Sequence, residues 1–142
     1  MTMPSTSPSK GLDLRVVFEI PLRQFIPWLF SVILVSLAGY PGVVCVTPMA
    51  WLLALRVGNL VAWRSRSATS SRRLTEAALA GGFFGLLLGI LFAAVTPFMG
   101  PIQPDETTRA IAFAVIMIVV GVFASTSLSF FTAYLIERKR MN

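Results

Sequence analysis

Three stretches of this chain carry no charged side chain: residues 24–55, 77–104 and 110–136. Each exceeds the roughly 20 apolar residues that a helix needs to cross the ~30 Å hydrocarbon core of a bilayer. A soluble domain scatters its charges, about a quarter of its residues, along the whole sequence. Here charged residues make up 13% of 142 and are gathered into short segments between the uncharged stretches. With a mean hydropathy of +0.78, the chain reads as an all-α, polytopic integral membrane protein. Lipid offers no partner for a backbone N–H or C=O, so each crossing segment must satisfy its own, as a helix does.

A single helix over 24–55 would be about 48 Å long, too long for one crossing. Gly39-Tyr40-Pro41-Gly42 supplies a dense turn signal in its middle. The stretch therefore divides into spans at 21–39 and 42–63. Pro21 suits a first helical turn, Trp28 falls near the start of the first span, and Trp63 ends the second at headgroup level. Further spans follow at 76–98 and 108–136. The expectation is four transmembrane helices arranged as two antiparallel hairpins, forming one domain over 25–136. A rival reading of the first span exists: a basic start, the apolar run 25–35 and Ser36-Leu37-Ala38 have the form of a secretory signal peptide. The turn that follows at once favours a retained span.

Residues 1–11 are rich in Ser, Thr and Pro and read as a disordered tail. Residues 12–22 alternate: Leu12, Leu14, Val16, Phe18, Ile20 and Leu22 interleave with Asp13, Arg15, Val17, Glu19 and Pro21. Period two is the pattern of a half-buried strand. Read as helix, Arg15, Glu19 and Arg23 form a ladder of opposite charges four residues apart. Either form suits an amphipathic segment lying at the membrane surface, or an edge that docks on a partner. Residues 137–142 form a basic tail.

The four-span arrangement puts Lys10, Arg15, Arg23, Arg64, Arg66, Arg72, Arg73, Arg138, Lys139 and Arg140 on one side and only Arg109 on the other. Basic residues collect in cytoplasmic segments, so both termini are expected in the cytoplasm and the loop with Asp105 and Glu106 outside. The location this implies is a cell membrane crossed several times, in keeping with a prokaryotic inner membrane. The net charge of +6 then points to anionic lipid headgroups rather than to nucleic acid. No basic segment carries the interleaved aromatics of a single-strand binder.

Small residues recur every four positions in three of the expected helices. The third carries Ala77, Gly81, Gly85, Gly89 and Ala93; the second Ala50, Ala54, Gly58 and Ala62; the fourth Gly121, Ser125, Ser129 and Ala133. A step of four returns to nearly the same face of a helix, and small faces let helix backbones approach closely in lipid. The pattern is that of a glycine zipper. The simplest arrangement buries all three stripes in one four-helix bundle; the alternative turns one stripe towards another chain.

Chemistry is sparse. No histidine is present, and Cys45 is the only cysteine, which removes Ser-His-Asp and Cys-His arrangements and the commonest metal ligand. No P-loop, dinucleotide fingerprint or CxxC occurs. No catalytic residue, cofactor site or metal site is assigned. Arg56 is the only charge away from the ends of an expected span, with Asn59 and Trp63 on its face. It either snorkels towards the headgroups or pairs with Glu76, Glu19 or a partner subunit. The fourth helix is rich in hydroxyls, Ser125, Thr126, Ser127, Ser129 and Thr132, suited to bonding backbone carbonyls or to lining a polar path. The function expected is a non-catalytic accessory or scaffold subunit of a larger membrane complex, with other membrane subunits or further copies of itself as partners. The alternative is a small oligomeric channel or transporter.

Overall fold

The computed structural model describes residues 11–37, 42–66, 69–95 and 107–141. Residues 1–10 of the expected disordered tail, residues 39–41 of the expected turn, Ala38 of the cleavage-like sequence and the loop with Asp105 and Glu106 lie outside these residues, as does the side chain of Cys45. The described residues form four helices and no strand: α1 (Leu14–Leu37), α2 (Gly42–Arg64), α3 (Ser70–Val95) and α4 (Thr107–Met141). Among the described residues three segments are long and apolar enough to cross a membrane: Leu14–Val35, Ser70–Ala94 and Ile111–Met141. The molecule is thus all-α and consistent with a multi-pass membrane protein. α2 is not among the three; its side chains are described only over residues 48–64, too short a stretch to compare with a span.

The period-two pattern over residues 12–22 does not produce a strand. α1 is one helix from Leu14, so the amphipathic segment and the first apolar run are continuous. Asp13 caps it: its carbonyl accepts from Val17 N–H at 3.2 Å, and its Oδ1 accepts from Val16 N–H at 3.4 Å. The inward residues Val17, Ile20, Pro21 and Trp28 follow helical spacing. Pro21 therefore lies inside the helix rather than in its first turn, and Pro27 is also interior. Trp28 is mid-helix and 0% exposed. It packs beside Phe25, whose ring also meets Phe84 of α3 edge-on at 6.5 Å. α3 begins at Ser70 rather than near residue 76, and α4 continues to Met141, so residues 137–141 are helical. At 1.5 Å per residue α4 is about 52 Å long and outreaches the bilayer core.

Side-chain contacts fix the directions. Asp13, at the start of α1, meets Glu76, and Phe25 meets Phe84, so α1 and α3 run parallel. Gly85 lies against Gly121 while Gly89 lies against Ile118, so α3 and α4 run antiparallel. Among the described residues their contact is the most extensive, and the α1 backbone comes close to α2 and α3 but not to α4. The buried centre consists of Trp28, Ala54, Val57, Val61, Ala77, Ala80 and Phe84. In lipid, burial from water contributes little between helices, so close packing and interhelical hydrogen bonds hold such a centre.

Candidate functional site

Two features organise the polar and small residues. The first is a seam where α2, α3 and α4 come within backbone distance. A Cβ placed on Gly85 would lie 2.3 Å from the Gly121 carbonyl oxygen, and one on Gly58 would lie 2.2 Å from the Ser129 carbonyl oxygen. One on Gly81 would lie 2.5 Å from the Ser125 carbonyl oxygen, and one on Gly89 2.6 Å from Ile118 Cα. Real Cβ atoms do not approach so closely, so these positions admit only glycine at the present helix spacing. Ser129, fully buried, donates its hydroxyl to the Ala54 carbonyl at 2.8 Å and ties α4 to α2. Ala50, Ala54, Ala62, Ala77, Ser125 and Ala133 are buried in the same seam; Ala93 is half-buried towards its far end. Gly58 of α2 and Gly81, Gly85 and Gly89 of α3 thus lie against the α4 backbone.

The second feature is a charged clamp at the end where α1 and α3 begin and α2 and α4 finish. Glu76 is 0% exposed. It accepts the Asp13 N–H at 2.7 Å and the Ser65 hydroxyl, so one α3 carboxylate holds the start of α1 and the exit of α2. Glu137 is 3% exposed. It accepts the Ser70 hydroxyl and pairs with Arg73 at 3.1 Å and Arg140 at 2.9 Å. Arg140 also donates to the Ala62 carbonyl at 3.3 Å and lies over the Trp63 ring, 4.4 Å from its centre. Burying a carboxylate is costly unless it is paired and hydrogen-bonded; Glu137 is both, and Glu76 is hydrogen-bonded to the Asp13 N–H and the Ser65 hydroxyl. All four helices are joined through these two side chains.

Sequence reasoning placed Glu76 and Glu137 at span ends and gave them no such role. A signal was present: the fourth-helix stripe 121-125-129-133 takes its next step at Glu137, and the third-helix stripe, followed backwards from Ala77, reaches Arg73.

Arg56 and Asn59 lie on the outward face of α2, away from the seam. The expected pairings of Arg56 with Glu19 or Glu76 are not formed. Glu19 holds Arg15 at 2.9 Å and Arg23 at 3.1 Å, and Glu76 is engaged in the clamp. Among the described residues Arg56 has no ion pair. In α4, Ser127 donates to the Phe123 carbonyl at 2.8 Å and Thr132 to the Leu128 carbonyl at 2.9 Å, each within its own helix. No cluster of metal-ligating side chains occurs among the described residues. Comparison with protein families, with curated proteins and with solved structures gives no match for this chain.

Proposed function

We propose that this chain is a non-catalytic accessory or scaffold subunit of a larger membrane protein complex. In this reading α2 crosses the bilayer with the other three helices, as two antiparallel hairpins with both termini in the cytoplasm of a prokaryotic cell. The observation that carries the reading is Arg56. It stands on the outer face of α2, eight residues or about 12 Å from Arg64 at the helix end, without an ion pair among the described residues. A charge inside a membrane span calls for a partner group, and a neighbouring subunit can supply one. The buried carboxylates and Ser129 support the same reading, because their hydrogen-bonding capacity is engaged in holding this chain's helices together.

Purification in mild detergent tests it: other membrane subunits should co-purify in fixed proportion. A lone monomer would overturn the proposal. Flux through liposomes holding only this chain as a homo-oligomer would instead favour the second reading, a small channel or transporter. That reading draws on the same guanidinium and Asn59 facing a shared pore. Topology is checked separately with single cysteines in a Cys45→Ser background. A cysteine at exposed Ser71 should resist a membrane-impermeant maleimide added outside intact cells, and one at exposed Thr108 should react.

A further inference from the structure

Beside the clamp, the start of α1 and the end of α2 enclose an open cleft of 370 Å³. Val16 and Ile20 line its apolar part, and Asp13, Arg15, Glu19, Arg64 and Arg66 its polar part. The two acids are already engaged: Asp13 caps α1, and Glu19 offers one oxygen to Arg15 and the other to Arg23. Arg64 and Arg66 form no ion pair among the described residues. Three guanidinium groups thus line the cleft with two carboxylates, leaving a net charge of one positive in a concave, largely polar site. Arg15 donates only its Nε to Glu19, which leaves its terminal nitrogens available.

Position narrows the class of anion. The cleft lies where α1 begins and α2 ends, at the same end of the bundle as Trp63, whose ring lies under Arg140 of α4. In a membrane-spanning bundle that is the level of the headgroups, where tryptophan and arginine gather. The abundant anion at that level is phosphate, and the forked guanidinium matches its oxygens bidentately. We propose that this cleft binds a phosphate group, held by Arg64 and Arg66 with Arg15 as a further donor. The inference rests on the multi-pass membrane reading but not on the accessory-subunit reading, which a co-purification result tests independently.

Two sources share this chemistry: the headgroup of an anionic phospholipid and a soluble phosphate. The test uses the full chain purified in neutral detergent and incubated with an equal mixture of phosphatidylglycerol and phosphatidylcholine, with retained lipid counted by native mass spectrometry. Phosphatidylglycerol should be retained selectively, and R64Q/R66Q should weaken its retention about tenfold or more. R64K/R66K should fall between, since charge remains but the fork is lost. R138Q/K139Q removes the same charge from exposed positions outside the cleft and should change retention less than about twofold. A melting curve of each variant checks folding, and the lysine pair keeps the comparison if the glutamine pair is unstable. Calorimetry with inorganic phosphate separates the sources. Saturable binding that displaces the lipid assigns a soluble phosphate, whereas lipid retention indifferent to phosphate assigns the headgroup. Equal loss of lipid in R64Q/R66Q and R138Q/K139Q, or neither lipid nor phosphate binding, would overturn the proposal.

Discussion

Arg73 and Glu137 meet at 3.1 Å, and each stands one four-residue step beyond a small-residue stripe. The seam between α3 and α4 therefore changes chemistry along its length without changing register. Gly85 against Gly121 brings the backbones together, and the ion pair closes the same face where the helices reach the polar layer.

Removing Glu137 should be the most disruptive change at the charged end. Glu137→Ala leaves Arg73 and Arg140 facing each other with no carboxylate between them. Breaking a buried pair costs roughly 3–5 kcal/mol; with both arginines partly solvated the loss should lie near the lower figure, about 3 kcal/mol. Arg73→Met, which leaves Arg140 in place, should cost less. Unfolding in graded mixed micelles measures both, and an E137A protein as stable as the parent would remove the clamp from the account of stability.

Gly85→Ala should destabilise although alanine is the better helix former. The intrinsic gain is about 1 kcal/mol, but the new methyl would sit 2.3 Å from the Gly121 carbonyl oxygen, and backbone has nowhere to move cheaply. Overpacking of this kind costs about 1–3 kcal/mol. Gly82→Ala is the internal control. Its nearest neighbour is the Thr126 side-chain oxygen at 3.1 Å, which can turn aside, so that variant should be close to neutral. The contrast between the two adjacent glycines is the measurement. Gly85→Leu should separate α3 from α4 outright.

Ser129→Ala should lose the hydroxyl bond to the Ala54 carbonyl, worth about 0.6 kcal/mol in a membrane bundle. Ser129→Val should cost more, because its second methyl enters the space against Gly81. If both variants matched the parent in micelle unfolding, the α2–α4 contact would not depend on this residue.

Arg56→Leu should separate folding from association. Arg56 is exposed and has no ion pair among the described residues, so the unfolding midpoint should move by less than about 0.5 kcal/mol in equivalent stability. Retention of co-purifying subunits should drop sharply. Unchanged retention would leave Arg56 a snorkelling side chain and remove the main support for a partner at α2.

Much of the helix packing was legible, because a step of four is preserved whatever surrounds the helix. The Gly85–Gly121 and Gly58–Ser129 approaches fall on residues singled out by spacing alone. The start of α1 was not legible. Arg15, Glu19 and Arg23 are four apart, and a step of four is also two steps of two, so the charges fit strand and helix equally. Only the burial of Val17, Ile20 and Pro21 distinguishes them, and burial is not in the sequence. The role of Glu76 was hidden for another reason. A carboxylate at a span end reads as solvated, and its enclosure depends on Asp13 and Ser65, remote from it in the chain.

The clamp also has a mechanical side. Its ties across the bundle, from Glu76 to α1 and α2 and from Arg140 to α2, lie at the end where residues 65–69 also join α2 to α3. Towards the other end, around Gly89 and Ile118, the described contacts between helices are apolar. With polar ties at one end and apolar contacts towards the other among the described residues, the α1–α2 and α3–α4 pairs are expected to behave as two arms on a common pivot. Thermal motion should widen the angle between them at the free end first, and paired spin labels at Met49 and Ile90 should record broader distances than a pair at Trp63 and Ser71.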